Sequence, residues 1–208
     1  FVSEEYWTIS LKLRKKRSRL FEAELTAIDG KKPSLPDKAA ATRAAKELAR
    51  EIVKVSEIKR RERQRKPAPP FNTSSLQQDA ARKLGFTSRK TMMLAQQLYE
   101  GINLGRKGPA GLITYMRTDS TRISSLALEE TRAFVRERFG TAYLPSRANL
   151  YAAGKNAQDA HEAIRPTSIA RTPEEAAPFL TADQLKLYTL IWQRFVACQM
   201  SPAIYDTL

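Results

Sequence analysis

The chain has one cysteine, Cys198, and one histidine, His161, among 208 residues. A single thiol excludes an internal disulfide framework and a cysteine-based zinc site, and a lone histidine excludes chemistry that needs paired imidazoles. No apolar run approaches the roughly 18 residues of a membrane-spanning helix, and no secretory hydrophobic stretch opens the sequence. These absences predict a reduced, cytoplasmic chain with no membrane partner. Tandem repeats and low-complexity tracts are missing too, and there is no DxD acidic triad. Acids are the scarce charge: 22 Asp and Glu stand against 36 Lys and Arg, for a net charge of +14 and a pI near 10.1. Such an excess favours polyanions through counterion release, whatever their sequence. A nucleic-acid binder, a ribosomal or membrane-surface binder and a merely soluble basic protein all satisfy it.

What is present divides near Pro67–Pro70, PAPP, which continues neither a helix nor a central strand. Before it, Trp7, Ile9, Leu11 and Leu13 alternate with Thr8, Ser10 and Lys12, which predicts a strand with one buried face. Arg14–Arg19 reads as a basic loop and Leu20–Ile28 as a returning strand, so the pair predicts a hairpin. Asp37 caps a helix to about Arg50, and Val53, Val55 and Ile58 start a further strand. The charge run KRRERQRK at 59–66 fits a solvated strand edge or linker, with phosphate contact as the other reading.

After PAPP the pattern is mainly helical. Ser74 with Gln77, or Ser75 with Gln78, predicts a capping box for a helix that stops at Gly85. A second helix starts at Ser88, places Met92, Met93, Leu94 and Leu98 in a core, and closes near Gly101. GRKGPAG at 105–111 lacks the ending of a P-loop and reads as a flexible connection that lets Arg106 and Lys107 reach a backbone phosphate. The helix pair, this loop and a following strand fit a helix-turn-helix of winged type and, equally, an ordinary helical hairpin. Ser124 or Ser125 opens a helix that buries Leu126, Phe134, Val135 and Phe139 and stops at Gly140. Thr172–Glu175 carries N-terminal helix signals, and Thr181 with Gln184 caps a long helix to about Met200, in which Cys198 is a small buried thiol.

The residues that carry chemistry lie in LITYMRTDSTR, Leu112–Arg122. Leu112, Ile113, Thr114 and Met116 surround Tyr115 and predict a short buried strand. A phenol is a poor nucleophile at neutral pH, because its proton leaves only near pH 10. It needs a rigid mount, a nearby cation and a substrate whose developing charge can be spread. Arg117, two residues on, lies on the same side of a continuing strand and supplies that cation. Thr118, Asp119 and Ser120 follow as small hydrogen-bonding groups. A core tyrosine with a satisfied hydroxyl is the competing reading. His161 sits in a second polar cluster, QDAHEAIRPT, with Arg165 four residues on and on its own face if the segment is helical. Partners for a metal are lacking there.

LITYMRTDST resembles the active-site signature of the type IA DNA topoisomerases of bacteria. AQDAHEAIRPT at 157–167, PPFNTSSLQQDAARKLGF at 69–86, TMMLAQQLYEGI at 91–102 and LYTLIWQRFVACQMSPAIYD at 187–206 are similar to further signatures of that family. They follow the family's order and cover most of the chain from Pro67 onward; the first sixty residues match more weakly. The resemblance implies an α+β fold in which a mainly α, winged-helix-like tyrosine domain is inserted in a partial antiparallel β-rich arch domain. On that plan residues 1–70 belong to the arch or hinge, 71–200 to the tyrosine-bearing domain, and 201–208 to the return into the β-rich part.

The same resemblance implies Tyr115 as nucleophile, with Arg117 and His161 as catalytic groups at the scissile phosphate. Arg165, Thr118, Asp119, Ser120, Arg106 and Lys107 become the DNA contacts, although Asp119 orders its loop through local hydrogen bonds rather than acting as a base. The family's Mg2+ is held by an acidic Toprim domain, for which the sequence has no counterpart. The chain is therefore expected to be a central fragment with no metal site of its own, unable to relax DNA alone. Its partners are single-stranded segments of negatively supercoiled DNA and the missing Toprim part, at the nucleoid. The implied reaction is ATP-independent: strand cleavage through a 5′-phosphotyrosyl link, strand passage and resealing. A tyrosine recombinase places its histidine before the nucleophile, and a rolling-circle nuclease needs paired histidines. A non-catalytic winged-helix DNA binder explains the charge and the helix pair but gives no reason for LITYMRTDST.

Overall fold

The computed structural model describes residues 2–151 and 161–208. The chain falls into two compact units, Phe1–Ile58 and Lys59–Leu208. In the first, β1 (Ser10–Leu13) pairs antiparallel with β2 (Phe21–Glu24), in the register Leu11↔Ala23 and Leu13↔Phe21. Ile9 is buried and Leu11 and Leu13 are half-buried, as the period-two pattern predicts, but Trp7 is exposed and precedes the strand. Asp37 caps α1 (Lys38–Leu48), its carboxylate accepting from the Ala40 N–H at 2.7 Å. Val53, Val55 and Ile58 do not begin a strand; they are exposed and outside regular structure. The strand of this region comes later in the chain, at Arg61.

That strand, β3 (Arg61–Arg65), pairs antiparallel with β6 (Ala203–Thr207) from Arg61↔Thr207 to Arg65↔Ala203. The charge run is thus a strand with all five residues exposed, held by a partner at the other end of the chain. Next come α2 (Thr73–Leu84) and α3 (Ser88–Glu100). Between them Gly85 takes the left-handed φ of 68° that ends a helix without a Cβ penalty. The capping box of α2 is formed by Asn72 and Ser75, two residues earlier than Ser74–Gln77 and three earlier than Ser75–Gln78 would place it. Asn ranks with Ser as a helix cap, so the local pattern did not separate them. In α3, Leu94 and Leu98 are buried, whereas Met92 is half-buried and Met93 exposed.

GRKGPAG is not a loose connection. One 3-10 turn, Gly105–Lys107, is closed by a two-residue ladder between β4 (Ile102–Asn103) and β5 (Pro109–Ala110). Further on, α4 (Ser125–Phe139) buries Ala127, Thr131 and Val135, an i, i+4, i+8 stripe. Leu126 lies off that stripe, and Phe139 continues it only as the last residue of the helix; both are exposed, against expectation. The single turn α5 (Pro173–Ala176) is capped by Thr172, and α6 (Ala182–Cys198) starts from a Thr181–Gln184 capping box. Helices α2, α3 and α6 enclose one core with Phe71, Leu76, Leu98, Leu112, Ile164 and Tyr188. A second cluster joins α4 to the end of α6 through Val135, Phe195 and Cys198. The whole is a mixture of helices with small antiparallel sheets, and among the described residues no helix is long and apolar enough to cross a membrane.

Candidate active site

Tyr115 stands on an extended segment that is not a strand. Only Ile113 makes a bridge, to Pro166, and Pro166 has no N–H with which to carry a ladder further. The segment is held by other means. The Leu112 N–H donates to Leu98 O at 2.7 Å, and the Thr167 N–H donates to Leu112 O at 3.0 Å. A Cβ added at Gly111 would fall 2.6 Å from the Tyr99 carbonyl oxygen, so the end of α3 and the start of this segment meet at a distance only glycine permits. Met116 is fully buried on the far side. Tyr115 itself projects between these anchors, 44% exposed, with its ring edge-on to Tyr99 at 5.4 Å. It is therefore not a core tyrosine.

The chain bends after Tyr115 instead of continuing extended. Beyond the bend, exposure alternates: Arg117 and Asp119 face out, Thr118 and Ser120 face in. The two buried hydroxyls accept from backbone two residues on, Thr118 Oγ1 from the Ser120 N–H and Ser120 Oγ from the Arg122 N–H, each at 3.1 Å. Such turns shape a loop without regular structure. The loop lies over the first turn of α2, where Asn72 Nδ2 donates to Asp119 O at 3.3 Å and the Thr73 N–H donates to Thr118 O at 2.9 Å.

Residues 161–167 are not helical, so Arg165 does not share a helix face with His161. The segment runs extended, Ile164 bridging to Phe71 and Pro166 to Ile113. This sends the Arg165 guanidinium sideways onto Glu162, with Nη2 to Oε2 at 2.7 Å, and onto Pro166 O at 3.1 Å. Burial pushes the Glu162 carboxyl up, but the hydrogen bond and charge of Arg165 outweigh it and hold the group below the ordinary carboxylate value.

Two cavities meet at His161. One, of about 460 Å³, is lined by Asn72, Thr73 and Ser74 from the start of α2 together with Arg117, Asp119 and His161. The other, of about 300 Å³, is lined by Tyr99, Thr114, Tyr115, His161 and Glu162. Thr118 reaches both. The fold thus brings together Tyr115, Arg117, Thr118, Asp119 and His161. Among the described residues Arg117 and His161 have no ion-pair partner. A helix N-terminus, a guanidinium and an imidazole around one cavity form a setting for an anionic oxygen.

Ser120 is sealed beneath the loop, Arg165 is committed to Glu162, and Arg106, on the 3-10 turn, lines neither cavity. The side chain of Lys107 lies outside what the structure describes, as do Gln158 and Asp159 of the histidine cluster. Sequence reasoning passed over Thr73, Thr114, Tyr99 and Glu162. Only Glu162, adjacent to His161, carried a local signal; the contacts of Thr73 and Thr114 span 43 to 51 residues. Among the described residues no three His, Cys, Asp or Glu side chains converge as metal ligands.

A sequence model of the family described as "DNA topoisomerase" matches residues 1–208. DNA topoisomerase 1 of Xylella fastidiosa, strain Temecula1, is 48% identical over 214 aligned residues, covering 100% of this chain and 26% of that protein. The same protein from strain 9a5c matches to the same extent. Full-length topoisomerase I from Thermotoga maritima superposes with a TM-score of 0.71 at 45% identity, over 89% of this chain and 28% of its own. The chain therefore spans about a quarter of the length of the curated relatives it matches.

Proposed function

The chain belongs to the DNA topoisomerase family whose sequence model spans it, and from that premise we propose that it carries the strand-cleaving tyrosine of a type IA enzyme. Tyr115 Oη attacks a phosphodiester phosphorus of single-stranded DNA. The bond to the 3′ oxygen breaks, the phenol loses its proton, and the 3′ oxygen gains one. The products are a 5′-phosphotyrosyl link and a free 3′ hydroxyl. Another strand passes through the gap, and attack by the hydroxyl restores the phosphodiester. The phosphotyrosine conserves the bond energy, so no ATP enters. In the intact enzyme the outcome is relaxation of negatively supercoiled DNA, in the cytoplasm at the nucleoid.

Arg117 offsets charge on the non-bridging oxygens and His161 orients the phosphate, each acting only as charge develops. Thr118, Asp119 and Ser120 shape the loop that carries Arg117. Arg106 and Lys107 meet the DNA backbone farther from the cleavage point. The pair α2–α3 with the β4–β5 hairpin behind it serves as a helix-turn-helix with a small wing. The family generally uses Mg2+, but the described acids do not gather into a site for it, so no metal step is assigned to this chain. Alone it binds single-stranded DNA with strong salt dependence and does not relax DNA.

The observation that carries this reading is the half-exposed Tyr115 beside His161, with Arg117 on the adjoining cavity at the start of α2. Trapping the covalent adduct of the full-length polypeptide on a single-stranded oligonucleotide, followed by peptide mass spectrometry, tests it. The nucleotide is expected on Tyr115, and Tyr115→Phe, which conserves ring volume, is expected to bind DNA without forming the adduct. A phosphotyrosyl nucleotide on any other tyrosine would sink the assignment.

A further inference from the structure

One hydroxyl next to the site holds the backbone on both sides of Arg117. Thr73 is the first residue of α2. Its Oγ1 donates to Met116 O at 2.7 Å, lies 3.0 Å from Thr118 O, and accepts from the Thr118 N–H at 2.9 Å. Met116 O belongs to the peptide unit before Arg117, and the Thr118 N–H belongs to the unit after it. A single side chain therefore limits rotation about both backbone bonds of Arg117. The Thr73 N–H adds a third tie, to Thr118 O at 2.9 Å.

Arg117 depends on this grip. Its side chain is exposed and lacks an ion-pair partner among the described residues, so its own contacts do not aim it. A long, mobile side chain reaches a defined point only if its Cα and Cβ are fixed. The Thr73 hydroxyl has one proton, given to Met116 O, and one lone pair taken by the Thr118 N–H. No donor is left for a phosphate, although Thr73 borders the cavity. The β-branch of threonine narrows its χ1, and the two hydrogen bonds select the rotamer that reaches both peptide units.

We propose that Thr73 is a positioning residue for DNA cleavage, which sets the backbone of Arg117 and so aims its guanidinium at the phosphate. The proposal rests on the function assigned above to Tyr115 and Arg117. It accounts for an arrangement in which a half-buried hydroxyl at the edge of the cavity gives its hydrogen bonds to the loop.

The test uses the full-length polypeptide with Thr73→Val, Thr73→Ser and Thr73→Ala, each alone and with Arg117→Ala. The single-turnover rate of adduct formation on an end-labelled single-stranded oligonucleotide is measured, and the affinity for the same oligonucleotide in a Tyr115→Phe background. Thr73→Val is expected to slow adduct formation by about ten- to a hundredfold, the effect of small misplacements of a reacting group. Thr73→Ser restores most of the rate, affinity changes little, and Thr73→Val adds no further loss once Arg117 is alanine. Should Thr73→Val fail to fold, Thr73→Ala carries the same comparison. Equal rates for Thr73→Val and the parent would overturn the proposal, and so would a loss of equal size in the Arg117→Ala background. If the parent forms no adduct on Tyr115, the functional assignment itself falls and this inference with it; an adduct in the parent separates the two failures.

Discussion

Thr114 and Arg165, 51 residues apart, exchange two hydrogen bonds: the Thr114 N–H donates to Arg165 O at 2.9 Å, and the Arg165 N–H donates to Thr114 Oγ1 at 3.0 Å. The same hydroxyl donates to Ala163 O at 2.7 Å. The immediate neighbour of Tyr115 is thereby stitched to the segment that begins with His161. These three bonds, with the Ile113–Pro166 bridge and the bond from the Thr167 N–H to Leu112 O, join the two segments without a shared helix or a continuous sheet.

Thr114→Val is accordingly expected to lower the unfolding free energy by about 1–3 kcal/mol, because it leaves the Arg165 N–H and Ala163 O short of a partner in a half-buried place. Thr114→Ser, which keeps the hydroxyl, should lose much less. Urea titration of the parent and both variants distinguishes them, and equal midpoints for Val and Ser would show that the hydroxyl contributes nothing.

Gly111→Ala sets a methyl group 2.6 Å from a backbone oxygen that cannot swing away, since it ends α3. A loss of about 1–3 kcal/mol is expected, the usual range for overpacking. It should come with a change in the environment of Tyr99 and Tyr115, whose rings touch just beyond the contact. Thermal melts and near-ultraviolet circular dichroism read both effects; a variant that melts with the parent would mean that the two segments separate freely.

Arg117→Ala and His161→Ala are each expected to slow cleavage by about a hundred- to a thousandfold, the scale for removing one group that stabilises transition-state charge. The adduct should remain on Tyr115 in both. Because the two line one cavity, the double variant should lose less than the product of the single losses. Single-turnover rates of the three variants settle the matter, and strict multiplication would argue that the residues act independently.

Asp79 of α2 gives a pH-dependent stability. Burial pushes its carboxyl up, but hydrogen bonds and charge from Lys83 and Arg194 outweigh this and hold it below the ordinary value. A carboxylate depressed in the folded state contributes its full stabilisation above the unfolded pKa of about 3.9 and loses it as pH falls through the folded value. Asp79→Asn should therefore destabilise by about 1.5–3 kcal/mol at pH 7, as expected for hydrogen bonds to charged groups. That difference should shrink as the solution is acidified past the ordinary carboxylate range. Denaturation at a series of pH values tests it; a gap that stays constant into acid would rule the carboxylate charge out.

Features that depend on a few neighbouring residues could be read from the amino acids. Asp37, Thr172 and the Thr181–Gln184 box start helices where expected, because a cap satisfies N–H groups within one turn. The β1–β2 hairpin follows from apolar alternation leading into a basic loop. LITYMRTDST is legible as a family signature, and the family holds.

Other features were decided by partners far along the chain. KRRERQRK and the apolar residues Val53, Val55 and Ile58 competed for one strand; the basic run took it because β6, with Thr207 146 residues from Arg61, supplies the hydrogen bonds. The bend after Tyr115 and the extended path of residues 161–167 are set the same way. Pro166 stops the ladder, Phe71 takes the Ile164 N–H, and Thr73 and Thr114 tie the loose ends. A local pattern specifies which groups need hydrogen-bond partners, and only the packed chain specifies which distant groups meet them. The sequence by itself thus singled out Tyr115 and Arg117 as candidates, whereas their placement on two cavities that share Thr118 and His161 was left to contacts that form only on folding.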